Sequence, residues 1–278
     1  MVMSKWVMHI LFIGYGKTSA RVAKQLFQAG HQITTISRSR KSDDYATHLI
    51  QDVQQLDLSR LAPIDWVYVL LSPGQSTPEA YQHTYLDSVA PIVTALAAHP
   101  VRRMVVVSST RVYGQNAGEW IEDTTPLQPP DAQADILLKM EQAYLSAYPE
   151  RCTIIRPSGI YGSSIARMVK LAHTLTEYPN RHWSNRIHID DLARFLAQMI
   201  HVEHLQESYI VSNGQPQLLH EVVQWFQQQL HLPLLTLTSP YETGKRIRPK
   251  RMQDSGFKLQ HNDCFQDYLA LLRELDGN

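Results

Sequence analysis

The amino-acid sequence predicts an α/β fold, a doubly wound parallel sheet with a small C-terminal lobe. Three observations predict it. Apolar runs too short for ordinary helices, at 10–13, 66–71 and 104–107, read as buried parallel strands. Stretches of helical periodicity lie between them, and strands alternating with helices are most economically satisfied by a parallel sheet covered on both faces. From about Pro157 the pattern changes, with more Gln and His, few recognisable strands and two amphipathic helices. Of the 278 residues 44% are hydrophobic and 19% charged, enough to bury a large core. The 26 basic side chains balance 26 acidic ones, so no global field draws the chain to nucleic acid or an anionic membrane. Cys152 and Cys264 lack metal-like spacing and suit a reducing compartment. The apolar start from Trp6 to Ile13 runs into a glycine turn without a small-residue cleavage site, and no run approaches membrane-span length. The expected setting is the cytoplasm.

Taken in order, the first strand at 10–13 turns at Gly14-Tyr15-Gly16 into a helix opened by Lys17 and Thr18. Val22, Ala23, Leu26 and Phe27 form its apolar face, and Gly30 stops it. The start of such a helix points free N–H groups and a partial positive charge at whatever lies above the strand, an arrangement suited to phosphate. Gly14 permits the turn, Gly16 lets the backbone approach a pyrophosphate, and Ser19 takes the third position of G-x-G-x-x-G. Alone, this motif reads either as a dinucleotide site or as a structural strand-turn-helix. A second strand at 32–36 ends in Ser37-Arg38-Ser39-Arg40-Lys41. An acid there would hold the ribose hydroxyls of NAD; Arg38 stands in its place, and a guanidinium suits a 2′-phosphate. Read by itself the run is a solvated basic loop, but its position relative to the glycine turn favours the phosphate. Asp52-Val53 closes the next short element, and Leu71 ends the strand that leads into Ser72-Pro73-Gly74, a loop facing the crevice of an open sheet. One continuous helix is expected over 79–98 from Tyr81, Tyr85, Val89, Ile92, Val93 and Leu96. Another begins near Ala132. In the second half, a helix carries Leu218, Leu219, Val222, Val223, Phe226 and Leu230, and a last one carries Phe265, Tyr268, Leu269 and Leu272 behind Asn262 as cap. His201 and His204 have i, i+3 spacing but no third ligand, and no metal is expected.

The strand at 104–107 ends in Ser108-Ser109-Thr110-Arg111-Val112-Tyr113-Gly114, and here the sequence resembles the extended or atypical short-chain dehydrogenase/reductases, the NAD-dependent epimerase/dehydratase-like proteins. Four further segments agree in order: Lys139 with Glu141, Ile155 to Gly162, Arg186 to Ala193, and Tyr209 to Gly214. The tail from Gly244 is similar to a small bacterial branch of that family. The resemblance covers nearly the whole chain and implies a Rossmann-type nucleotide domain over 1–156, to which 186–202 returns, and a small substrate-binding lobe over 157–278.

The resemblance also implies roles. Gly14, Tyr15, Gly16, Lys17, Thr18, Arg38, Asp52, Val53, Leu71, Ser72, Lys139 and Pro157 would bind the cofactor, expected to be NADP(H) in preference to NAD(H). Ser109 matches the hydroxyl that bonds the reacting substrate oxygen. Lys139 matches the lysine that binds the nicotinamide ribose and acidifies a tyrosine four residues earlier, but that position is Asp135. A phenol, with a pKa of about 10, can be drawn toward neutrality by an adjacent cation. The same cation makes a carboxylate a weaker base, so Asp135 could accept a proton only if buried; otherwise it is the first-turn acid of a helix. Tyr113 and Tyr161, after strands that face the crevice, either supply the missing phenol or are structural tyrosines. His188 reads as a core group. Ser184 stands where nucleotide-sugar enzymes of the family carry an arginine for the substrate diphosphate, with Arg186 two residues away. Five basic residues from Lys245 to Arg251 would grip an anionic substrate group, coat a solvated loop or meet another subunit. Two functions follow as expectations: an oxidoreductase or epimerase/dehydratase acting on a small carbonyl or hydroxyl substrate, anionic or neutral, or a dinucleotide-sensing protein that has lost catalysis. A small molecule is the expected partner, not nucleic acid or membrane, for a monomer or homodimer.

Overall fold

The computed structural model describes residues 7–276, so Trp6 of the apolar start and the final residues 277–278 lie outside the described residues. Five strands, β1 (His9–Ile13), β2 (Gln32–Ser37), β3 (Thr47–Ile50), β4 (Trp66–Val69) and β5 (Arg103–Val107), join Cys152–Pro157 and Ser208–Val211 in one sheet. Its order is Ser208–Val211, Cys152–Pro157, β5, β4, β1, β2, β3. The pairs from β3 through to Cys152–Pro157 are parallel. The winding direction reverses between β1 and β4, and such a reversal opens a crevice at the carboxyl ends of the strands. Residues of β1 and β4 are buried throughout. Register places Phe12 beside Tyr68, whose rings stack at 4.9 Å, and the Tyr68 hydroxyl donates to the Leu196 carbonyl at 2.8 Å.

Helix α1 spans Lys17–Gln28. The single helix expected over 79–98 is instead broken into α2 (Pro78–Tyr81), a π turn at Gln82–Leu86 and α3 (Val89–Leu96). Pro91 explains the break: it has no N–H to give, and its ring crowds the carbonyl four residues back. The chain widens just upstream, where the Asp87 N–H donates to the Gln82 carbonyl at 2.9 Å. Helix α4 (Ala132–Ala147) is capped by Asp131, whose carboxylate accepts from the Ala134 N–H at 2.8 Å. Its inner face includes Glu141, which pairs with Arg156 of the sheet at 2.7 Å, the two side chains 1% and 7% exposed. Removing one partner of such a buried pair costs about 3–5 kcal/mol, so the pair fixes the roll of α4.

The described chain divides into two compact units. Unit 1 holds the residues up to Val112 with Pro129–Arg156 and Ala193–Tyr209; unit 2 holds Tyr113–Gln128, Pro157–Leu192 and the residues from Ile210 onward. The core of unit 2 gathers Tyr161, Ile165, Val222, Phe226, Tyr268 and Leu272 around helices Ala166–Thr174, Leu219–Gln229 and Cys264–Asp276. Strands are not scarce there. Gln217–Leu218, Arg181–Ser184 and Glu242–Gly244 form one small sheet, and Gly159–Tyr161 pairs with Arg186–His188. These strands are two to four residues long, too short to leave an alternating pattern in the sequence. Asp263, rather than Asn262, caps the last helix, its carboxylate accepting from the Phe265 N–H at 2.9 Å. His201 ends a single 3₁₀ turn and exposed His204 lies beyond it, so the two do not share a helical face. No helix among the described residues is long and apolar enough to cross a membrane.

Candidate functional site

In unit 1 a cavity of about 650 Å³ opens at the reversal between β1 and β4. Its wall contains Gly14, Tyr15, Gly16, Arg38, Asp52, Val53, Leu71 and Ser72, eight of the residues expected to bind cofactor. Lys17 and Thr18 stand at the start of α1, where no side chain caps the helix and no acid occupies the first turn. Their N–H groups therefore lack intrahelical acceptors, as suits an anion, although neither residue is among those that line the cavity. Gly14 has φ +90°, and a Cβ there would overlap the Leu70 carbonyl. The Ser19 hydroxyl closes the turn by donating to the Gly14 carbonyl at 2.8 Å. Gly16 differs: a Cβ would meet nothing within 4 Å and would protrude into open space. The turn thus requires one glycine for its own shape and keeps the other as a cradle.

Arg38 lies at the exposed end of β2 and, among the described residues, has no ion pair. Ser39 and Lys41 line the same cavity, whereas Arg40 lines a neighbouring recess. Asp52 caps the 3₁₀ turn Val53–Gln55 by accepting from the Gln54 N–H at 2.9 Å. The sequence did not single out His83, Thr84 and Ser88, which also line the cavity. They are brought there by the π turn, whose irregular hydrogen bonding has no periodic signature.

Ser109 follows β5 and accepts from the Arg111 N–H at 3.1 Å, closing a 3₁₀ turn. Arg111 grips Asp131 through two nitrogens, at 3.1 and 3.0 Å, and lies over the Tyr81 ring. Because Asp131 is also the cap of α4, this bidentate pair ties the end of β5, with Ser109, to the start of the helix that carries Asp135 and Lys139. The two residues are 20 apart in sequence, so no local spacing announces the pair. Asp135 and Lys139 share an exposed face of α4, their side chains 49% and 58% exposed, with Nζ 2.7 Å from Oδ2. Asp135 therefore lacks the burial that a basic carboxylate would need.

The NAD(P)H-binding family profile matches residues 14–203, well over half of the chain. The chain belongs to that family. It is 24% identical over 194 residues to Protein YeeZ of Escherichia coli K12, a match spanning 66% of this chain and 69% of YeeZ. A Methylobacillus flagellatus protein, provisionally described as an NAD-dependent epimerase/dehydratase, superposes with a TM-score of 0.81 at 28% identity, over 98% of this chain and 100% of that one. The UDP-glucuronic acid 4-epimerase of Bacillus cereus, solved with NAD, gives 0.79 at 14% identity over 96% and 99%, a likeness of fold. The chain is thus a member of the NAD(P)H-binding family with the fold of NAD-dependent epimerase/dehydratase-like proteins, and a nicotinamide dinucleotide is the ligand class of its family.

For a member of this NAD(P)H-binding family, unit 2 carries a conspicuous polar cluster. The Tyr161 hydroxyl donates to Asp267 Oδ2 at 2.6 Å, and His261 Nδ1 lies 2.8 Å from Asp267 Oδ1. The His261 ring stacks on His188 at 3.5 Å, and His188 Nδ1 accepts from the Asp190 N–H at 3.2 Å. His188, His261 and Asp267 are close enough to suggest a metal group. Two imidazoles stacked face to face cannot both aim in-plane lone pairs at one ion, and the Nε2 edge of His188 abuts Gly162, so the cluster is a hydrogen-bonded core. Burial, then the Asp267 carboxylate, pushes the Tyr161 hydroxyl far above the ordinary phenol range. Tyr113 is fully buried, and Pro157 ends its strand buried. Of the basic run, Lys245 donates to the Tyr113 carbonyl, Arg246 to the Gly118 carbonyl at 2.6 Å, and Lys250 pairs with Asp254 at 2.7 Å.

Proposed function

We propose that the protein binds NADP(H) in preference to NAD(H) in the unit 1 cavity and acts with it as an oxidoreductase or epimerase/dehydratase on a small carbonyl or hydroxyl compound. One observation carries this reading: Arg38 and Lys41 line the cavity that holds the glycine cradle, at the strand end where an acid would select NAD. The residues present fit the dinucleotide. Gly16 leaves open the space a pyrophosphate needs, the uncapped N–H groups of α1 would bond it, and the Arg38 guanidinium would take a 2′-phosphate. When bound, the nicotinamide ring supplies hydride exchange. The Ser109 hydroxyl would orient the reacting substrate oxygen, Lys139 would bond the ribose, and unit 2 would serve as the substrate lobe. UDP-glucuronic acid, named for the Bacillus cereus protein, is not carried over. Ser184 replaces the diphosphate-binding arginine, and Arg186 is 6% exposed with its Nε–H given to the Tyr268 hydroxyl at 3.1 Å. A cytoplasmic setting agrees with the two free, buried cysteines.

A second reading, a dinucleotide sensor without turnover, is favoured by the Asp135–Lys139 ion pair standing where a phenol would be activated. Calorimetric titration tests the cofactor assignment. NADPH should bind wild type more tightly than NADH, and Arg38→Ala should remove most of the difference, about 1.5–3 kcal/mol for a lost charged hydrogen bond. Equal wild-type affinities would refute the preference. Turnover of NADPH against pooled carbonyl compounds, or its absence across them, separates enzyme from sensor.

A further inference from the structure

The cations that would select NADP(H) sit on an exposed connection, residues 38–46, between β2 and β3. Long cationic side chains on such a loop discriminate poorly unless the loop is held, because ordering them at binding time offsets the gain. The hold comes from the glycine turn itself. Tyr15, the residue between the two glycines, donates its hydroxyl to Asp43 Oδ2 at 3.0 Å and lies 2.8 Å from the Tyr45 hydroxyl. Tyr45 is anchored in turn on α1, 3.2 Å from the Ala20 carbonyl, with its ring against Phe27 at 5.6 Å. His48 fixes the same loop from the sheet: its Nε2 lies 3.0 Å from the Asp43 carbonyl and its Nδ1 2.6 Å from Thr35 Oγ1. Burial, with the bonds to Tyr45 and Asp43, raises the Tyr15 pKa far beyond the ordinary phenol range, so the hydroxyl remains a donor.

The clasp also occupies an acceptor. Asp43 lines the recess it shares with Arg40 and Lys41. A loose carboxylate beside those cations would neutralise them and repel a 2′-phosphate, and it could accept from ribose hydroxyls as the selecting acid of NAD-binding proteins does. Bonded to Tyr15, that carboxylate is committed elsewhere. We infer that the Tyr15–Asp43–Tyr45 clasp sets the selectivity of the site for a 2′-phosphorylated dinucleotide, holding Arg38 and Lys41 at the cavity while turning the Asp43 carboxylate to Tyr15. This rests on the NADP(H) reading above, and Asp43 and Tyr45 act as positioning residues.

Calorimetric titration of wild type, Asp43→Ala and Tyr45→Phe with NADPH and NADH tests the clasp, because the competing explanation has the opposite sign. If Asp43 acted only as a nearby negative charge, removing it would strengthen NADPH binding. The clasp predicts that Asp43→Ala weakens NADPH about five- to tenfold, the scale of one ordinary hydrogen bond lost, and leaves NADH within about twofold. Tyr45→Phe, which changes no charge, should lower the NADPH/NADH ratio in the same direction by a smaller factor. Tighter NADPH binding in Asp43→Ala, or wild-type selectivity retained in either variant, overturns the clasp and leaves the NADP(H) reading standing. A wild type without any preference overturns the reading itself, and the clasp with it. Ligand-free melting checks folding, and Tyr45→Phe alone carries the test should Asp43→Ala fail to fold, wild-type selectivity in it again overturning the clasp.

Discussion

At the carboxyl ends of β1 and β2 the chain leaves backbone donors and a guanidinium without a protein partner beside an open cavity, whereas around His188 in unit 2 most polar groups bond one another, the buried Arg186 Nη1 excepted. The second region is the richer in residue types that carry chemistry: two histidines, a tyrosine and an aspartate within bonding distance of one another. Yet Asp267 is used by Tyr161 and His261 together, and His188 by the Asp190 N–H. The first region is poor in such groups, but the start of α1 has no cap, Gly16 faces open space and Arg38 has no ion pair among the described residues. Folding ordinarily satisfies its own polar groups, so unspent bonding capacity beside a cavity marks a ligand site better than residue type does.

The most drastic way to break this comparison is to fill the cradle. Gly16→Val is sterically free within the protein, because its φ is −103° and its Cβ would meet nothing. It should cost about 3 kcal/mol or more in dinucleotide binding, through overlap with the pyrophosphate, while changing ligand-free stability by less than about 1 kcal/mol. The contrast is Gly14→Ala, which should destabilise the fold itself because φ is +90° and the Leu70 carbonyl is in the way. Should Gly16→Val melt at a temperature that NADPH still raises as in wild type, the site lies elsewhere.

A smaller effect is expected at α4. Lys139→Ala should weaken cofactor binding by about 1–3 kcal/mol, and Asp135→Ala should change it little, since ribose contact needs the ammonium and not its ion-pair partner. Calorimetry on the two variants decides. Asp135→Asn losing a measurable turnover at unchanged NADPH affinity would instead make the carboxylate a participant in the reaction.

The smallest effect belongs to unit 2 and concerns pH. Burial, then the neighbouring His261, lowers the His188 pKa, with Asp267, Asp190 and Asp191 opposing. The folded state therefore keeps His188 neutral while the unfolded chain takes up its proton near pH 6.5. The unfolded state binds more protons in that window, so stability is complete above about pH 6.5 and falls as pH drops through it, by at most about 1.4 kcal/mol per unit. Urea titrations of wild type and His188→Asn at pH 7.5 and 5.5 should show a slope in the first that is reduced in the second. NADPH affinity at pH 7.5 should be the same in both, and a loss of binding in His188→Asn would erase the distinction between the two regions.

Much of unit 1 was readable from residues alone. Apolar runs separated by helical periods specify the strands, and Gly14-Tyr15-Gly16 followed by an uncapped helix specifies the cradle. What escaped was whatever depends on distant partners or on broken periodicity. Nothing local links Tyr15 to Asp43, 28 residues away, or Arg111 to Asp131; those bonds exist only once the sheet has set the loops in place. Pro91 announces a disturbance but not the π turn that relieves it upstream, which is why His83, Thr84 and Ser88 were missed. In unit 2 the two longer helices show their apolar faces. Helix Ala166–Thr174 escaped because it has no side-chain cap and buries little more than Ala172.

The buried Arg156–Glu141 pair reaches beyond stability. It fixes the roll of α4 through a position six residues beyond residue 135, which itself stands half-exposed and packs into no core. The helix therefore works as a mount with an exchangeable head. A substitution at 135 alters what is displayed without altering how the mount is seated, so a lineage could lose the activated phenol there, or regain it, in one codon-level step and no repacking. Asp135→Tyr is accordingly a practical starting point for building a reductase on this scaffold, with Lys139 already one helical turn away.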